Sequence, residues 1–156
     1  MNHPAPPVVV IAPDSFKGSL SARDVAEAIG AGVLAAAPDA VLRLCPIADG
    51  GEGTLDALLH AGGEVRRLQV RGASGKVRNA ATAILSDGSA VIESAEIVGL
   101  TDEAGTAVAV ENRSTQGIGD ALLTLLDSGA RRFLIGLGGS STNDGGIGML
   151  TVLGLK

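Results

Sequence analysis

Val8-Val9-Val10-Ile11-Ala12-Pro13-Asp14-Ser15-Phe16-Lys17-Gly18-Ser19 decides how this chain is read. Its first five residues form an unbroken, mostly β-branched apolar run, the pattern of a strand buried in a parallel sheet. Pro13 breaks the run, and Ser21-Ala22-Arg23-Asp24 reads as a capping box opening a helix over residues 21–37. Val25, Ala28, Ile29, Gly32 and Val33 are expected to form its buried face. Pro38-Asp39 ends that helix, and Val41 to Cys45 reads as a second strand. A loop, 46–53, leads to a short helix from Thr54 to His60; Gly62-Gly63 stops it and Val65 to Val70 makes a third strand. The alternation predicts a βαβαβ unit with a parallel sheet.

Outward from that unit the pattern changes. Arg71-Gly72-Ala73-Ser74-Gly75 reads as a flexible break and a domain boundary, dividing residues 1–71 from 72–156. Val77–Leu85 and Ala90–Glu93, joined by Ser86-Asp87-Gly88-Ser89, predict a hairpin. A polar stretch reaches Arg113, a helix is expected from Thr115 to Leu126, a strand from Arg132 to Leu137, and a further helix from Gly146 to Leu153. Residues 1–7 form a Pro-rich tail expected to be frayed. The end at Lys156, with a helix barely finished and no strand after it, reads as a cut.

Composition narrows the function. The 156 residues are 46% hydrophobic and 19% charged, which excludes a disordered chain. A net charge of −5 argues against nucleic acid, which needs a basic stripe. Phe16 and Phe133 are the only aromatics, too few for a base-stacking platform. The single cysteine, Cys45, allows no internal disulfide, fits a reducing compartment and is expected to be a small core residue. No apolar run approaches the about 20 residues of a membrane span. The N-terminal residues do not read as a signal peptide, so a cytoplasmic protein is expected. His3 and His60 have no partner at metal-ligand spacing and read as structural. Gly30-Ala31-Gly32-Val33-Leu34-Ala35 fits the loose dinucleotide fingerprint but falls inside a helix, so a nicotinamide dehydrogenase is disfavoured.

Three glycine-rich loops carry the chemistry. The first, Pro13 to Ser19, follows a strand at the end where open α/β sheets bind ligands. Lys17 there is a mobile positive charge suited to a carboxylate or phosphate, and Asp14 can accept a proton or hold a cation. The second, Asp49-Gly50-Gly51-Glu52-Gly53, places two acids among three glycines; their hard oxygens suit Mg²⁺, while a plain glycine turn with a solvated Glu fits equally. The third runs Gly136-Leu137-Gly138-Gly139-Ser140-Ser141-Thr142-Asn143-Asp144-Gly145-Gly146. Strand, hydroxyl-rich glycine loop and helix together make a phosphate site, although no Walker A sequence is present. Glu93, ending an apolar strand, reads as paired, functional or simply a solvated strand end.

Taken together these loops, with Val91-Ile92-Glu93-Ser94-Ala95, Gly99-Leu100 and Ser114-Thr115-Gln116-Gly117-Ile118-Gly119, resemble the type-1 glycerate kinase family, collinearly from Val8 onward. Ile97-Val98 stands where that pattern is expected to carry smaller residues. The resemblance implies a flavodoxin-like parallel-sheet domain with a second α/β domain inserted and a cleft between them, each incomplete in a chain about half the family's length. It also implies ATP-dependent phosphorylation of D-glycerate to 2-phosphoglycerate. The expected site then comprises Asp14, Lys17, Asp49 and Asp144 as catalytic candidates. Ser15, Gly50, Gly51, Glu52, Gly138, Gly139, Ser140, Ser141, Thr142 and Asn143 are candidates for substrate or phosphate. Asp49 and Glu52 would carry Mg²⁺, directly or through water, and Asp14 or Asp144 would take the hydroxyl proton. A hydroxy acid and a nucleotide are the expected partners, with a homo-oligomer or the missing C-terminal portion covering exposed sheet edges. The contrasting expectation is a non-catalytic anion-binding or assembly module.

Overall fold

The computed structural model describes residues 5–156, so part of the expected tail, Met1–Pro4 with His3, lies outside the described residues. The chain falls into two compact units, one ending at Ala48 and one spanning Asp49–Lys156.

In the first unit, β1 (Val8–Ile11) pairs in parallel with β2 (Val41–Leu44), Val8 opposite Val41 and Ile11 opposite Leu44. Between them runs α1 (Ala22–Ala36). The expected capping box starts it: Asp24 N donates to Ser21 Oγ at 3.1 Å, and Ser21 N donates to Asp24 Oδ2 at 3.3 Å. The buried face differs from the expected one. It is Ala22, Val25, Ala26 and Gly30, whereas Ala28, Ile29 and Gly32 are exposed and Val33 is half-buried. Gly30 explains the rotation, because a Cβ there would sit 3.0 Å from Leu42 Cδ1, so the helix approaches the sheet at its side-chain-free position. The helix covers the side of the sheet carrying Ile11, Leu42 and Leu44. Val8, Val10 and Val41 on the other side are exposed, so the β-branched run alternates instead of being buried on both faces. Cys45 continues the exposed phase of β2 and is not a core residue.

The second unit contains α2 (Thr54–Leu59) and a four-stranded sheet of β3 (Gly63–Arg71), β4 (Val77–Leu85), β5 (Ala90–Glu93) and β6 (Phe133–Gly136), in that spatial order. β3–β4 and β4–β5 are antiparallel; only β5–β6 is parallel. The expected βαβαβ unit is therefore corrected, since β3 pairs with β4 along nine residues and not with β2. The break read at 71–75 is a tight hairpin turn. Gly72 N donates to Lys76 O at 2.7 Å, Gly75 takes φ +81°, and Ala73 N reaches Asp102 Oδ2 at 3.3 Å. A boundary at 71/72 would cut that hairpin; the units divide at Ala48/Asp49 instead.

Between β5 and β6 the expected polar stretch holds α3 (Ser94–Val98), α4 (Glu103–Thr106) and a 3₁₀ turn at Val110–Asn112, followed by α5 (Gln116–Asp127); α6 (Ile147–Val152) comes after β6. Ile118, Ala121, Leu122 and Leu125 recur at helical spacing along α5 and join Val70, Ile92, Ile97 and Val98 in the main core. Leu55 of α2 packs with Ala83 and Val91 in a smaller cluster. β5 contributes Ala90 and Ile92 to the first and Val91 to the second, and all four of its residues are buried. Ile97 and Val98, larger than the family pattern leads one to expect, are fully enclosed.

Candidate functional site

Phe16 N donates to Leu20 O at 2.9 Å and Ser19 N to Phe16 O at 2.8 Å, closing a turn at whose tip Gly18 takes φ +73°. Lys17 is exposed on that turn. Asp14, also exposed, accepts from Ser15 N at 2.6 Å, and Ile47 N holds Pro13 O at 3.0 Å. Asp14, Ser15 and Lys17 thus lie on one short loop past the carboxyl end of β1, as the sequence reading placed them.

The second and third loops meet in the second unit. Gly138 N donates to Gly50 O at 2.8 Å. A Cβ on Gly136 would stand 2.7 Å from Gly50 O, and one on Gly138 2.6 Å from Gly51 Cα. Backbone crosses backbone here, and any side chain would separate the strands of the crossing. Asp49 and Glu52 are exposed beside this crossing, and Asp49 Oδ1 accepts from Gly51 N at 2.9 Å. Past the crossing, Ser140 Oγ and Thr142 Oγ1 are 2.8 Å apart and half-buried; Asn143 is exposed. Five expected residues — Gly50, Gly51, Glu52, Gly138 and Gly139 — are therefore brought together.

Two expected site residues are engaged by hydrogen bonds within the unit. Ser141 is buried, and both its amide and its hydroxyl donate to Val98 O, at 2.8 and 2.9 Å, so it fastens the loop to α3 and offers nothing to a phosphate. Asp144 is surrounded by donors: Thr115 N and Oγ1 at 2.8 Å, Gly146 N and Gly148 N at 3.1 Å. Burial opposes its ionisation, but those hydrogen bonds outweigh burial and hold its carboxyl below the usual carboxylate range. It joins the starts of α5 and α6 and is poorly suited to receive a proton. The amides at the start of α6 go to this carboxylate, so the helix end of the expected phosphate recipe is already occupied.

Glu93 resolves as a paired acid. It is 2% exposed; Gly53 N donates to Oε1 at 3.1 Å and Leu55 N to Oε2 at 2.8 Å. Burial pushes its carboxyl up, and the two amides only partly offset that. Ser94 and Arg113 were missed by sequence reasoning. Ser94 Oγ donates to Gly138 O at 3.1 Å. Arg113 donates to the carbonyls of Val108, Ser141 and Thr106. Their partners are main-chain atoms, which leave no signature in a side-chain pattern.

Asp49 and Glu52 are both exposed on one loop, and carboxylates are the type of hard oxygen donor that Mg²⁺ takes. Among the described residues, no three His, Cys, Asp or Glu cluster as a metal cage. No helix among them is long and apolar enough to cross a membrane.

Comparison with known proteins follows the same residues. Residues 9–156 match the model of the glycerate kinase family. The chain is 45% identical to the glycerate 2-kinase of Escherichia coli, over 95% of this chain and 39% of that protein. It is 44% identical to the glycerate kinase of Bacillus subtilis, over 94% and 39%. The fold matches a crystal structure of a glycerate kinase 2 homologue from Salmonella typhimurium LT2 with TM-score 0.81 and 41% identity, covering 95% of this chain and 41% of that one. The chain thus spans about two-fifths of the length of these relatives. With the loops, the mixed α/β fold and nearly every residue collinear, this chain belongs to the glycerate kinase family.

Proposed function

We propose that this chain forms part of a kinase that transfers the γ-phosphoryl group of ATP to D-glycerate, giving 2-phosphoglycerate. The observation that supports it most is the glycine crossing, where Gly138 N meets Gly50 O and the acidic second loop lies against the hydroxyl-bearing third. Phosphoryl transfer asks a protein mainly for positioning and charge neutralisation. The third loop offers Ser140 and Thr142 hydroxyls to phosphate oxygens, with Asn143 beside them. Asp49 and Glu52 would hold Mg²⁺, which when bound neutralises charge on the transferring group. Lys17 would neutralise the glycerate carboxylate, and Asp14 would accept the hydroxyl proton as that oxygen attacks phosphorus and ADP leaves. Asp144, occupied by main-chain donors and the Thr115 hydroxyl, would keep the third loop in place.

The test is a coupled assay on the whole protein with Mg-ATP and D-glycerate, other hydroxy acids in parallel, and identification of the product. Lys17→Ala and Asp49→Asn should each lower turnover by about 100-fold or more, as for groups that stabilise transition-state charge. Undiminished turnover in both variants would reject the site.

A further inference from the structure

We propose that Glu93 and Ser94, adjacent residues where β5 enters α3, act as a positioning pair for the two loops that cross in this unit. The inference rests on the kinase reading for its consequence, but its geometry stands alone. Both residues are almost wholly enclosed, 2% and 1% exposed. Glu93 turns one way: each carboxylate oxygen takes one main-chain N–H, Gly53 on Oε1 and Leu55 on Oε2, fixing the segment directly after Asp49-Gly50-Gly51-Glu52. Ser94 holds the other loop through Gly138 O, the carbonyl of the residue whose N–H meets Gly50 O. A single dipeptide at the junction of β5 and α3 therefore fixes both loops in mutual register. Neither side chain is exposed enough to meet a ligand. Their effect passes through Asp49, Glu52, Ser140 and Thr142.

Glu93 is also chemically specific. A carboxylate accepts at both oxygens, whereas an amide of the same shape offers one acceptor and one donor. Glu93→Gln therefore keeps the volume but sets an NH₂ against either Gly53 N–H or Leu55 N–H. Residues that orient ligating groups in this indirect way change metal affinity by about 10–100-fold when replaced.

The experiment uses the whole protein with two readouts. In the kinetic arm, Glu93→Gln is expected to raise the half-saturating Mg²⁺ concentration and the KM for ATP by about 10-fold or more, with a smaller change in kcat. In the second arm, amide hydrogen exchange at Gly53 or Leu55 should accelerate by about 10-fold or more, while Ile92 and Leu122 amides keep their protection. A folded Glu93→Gln protein with unchanged Mg²⁺ dependence and unchanged exchange at both amides overturns the proposal. So does a loss of protection spread evenly over the unit with KM unaltered, which would mark a purely structural role. Should Glu93→Gln fail to fold, Ser94→Ala decides by the same measures: faster exchange at Gly138 N with a raised KM for ATP supports the pair, and no change at either refutes it. Absence of turnover in the parent protein would reject the kinase reading, while the exchange arm would still decide whether the pair holds the loops.

Discussion

Replacing Gly138 by alanine tests the glycine crossing directly. The new Cβ would lie 2.6 Å from Gly51 Cα, 2.7 Å from Gly51 N and 3.1 Å from Gly50 C. Carbon atoms settle at about 3.5 Å or more, so the methyl is about 0.9 Å too close to a main-chain atom that cannot rotate aside. The loops must part, and parting them breaks the 2.8 Å bond from Gly138 N to Gly50 O. Overpacking of this kind costs about 1–3 kcal/mol and the lost hydrogen bond about 1 kcal/mol more. A total of roughly 2–4 kcal/mol corresponds to a fall in Tm of about 10 °C for a unit of this size. Thermal unfolding by circular dichroism reads it, with Gly32→Ala as the control. A Cβ on Gly32, inside α1, meets nothing within 4 Å. That change should stabilise by about 0.5–1 kcal/mol through helix propensity alone. A Gly138→Ala protein melting within about 2 °C of the parent would refute the close-crossing argument.

Three further outcomes are expected. Ser21→Ala removes the capping box and should cost about 1 kcal/mol, measured by urea denaturation of the first unit. Ile92→Ala, fully buried in the main core, should cost about 2–5 kcal/mol in the same experiment on the second unit. The pH dependence should carry two opposite signs. Asp144 is held below the ordinary carboxylate range, as is Asp120 through its hydrogen bonds with Arg71, so their stabilisation is present above the unfolded-state pKa and lost as pH falls through the lowered one. Asp144→Asn should therefore flatten the acid limb of the stability profile. Glu93 is raised by burial, so its contribution is full below the unfolded-state pKa and declines as pH rises through the raised one. Glu93→Gln should remove that decline, as followed by denaturation at successive pH values.

The readable features were those whose signals are local. The Ser21/Asp24 capping box, the Asp87-Gly88 hairpin turn and the apolar spacing of α5 all lie within a few residues of what they determine. The partner of β3 was not readable in this way. Gly-Glu-Val-Arg-Arg-Leu-Gln-Val-Arg states a strand but not its neighbour, and glycine and serine at 72–75 mark a tight turn and a linker alike. The three loops were legible because glycine clusters are rare without a reason. What they approach was not: Gly138 meets Gly50 and Gly51, distant in sequence. Asp144 showed as an acid in a candidate loop, yet its role depends on Thr115, on a separate element. Burial and main-chain partners, which decide how an acid behaves, are set by tertiary packing.

Both short helices that follow the crossing loops begin at a left-handed glycine, Gly53 at φ +90° for α2 and Gly146 at φ +81° for α6. Neither glycine has a side chain to satisfy the first amides. Those amides find Glu93 in one case, Asp144 and Thr115 Oγ1 in the other. Six residues are too few to sustain a helix unaided. The α2 amides depend on a carboxylate distant in sequence at the end of β5, whereas α6 has a local acceptor in Asp144 and adds Thr115 Oγ1 from the start of α5. The bend before α2 is consequently tied to the sheet's all-or-none transition, and it gains its order in the step that forms the sheet rather than as an independent foldon.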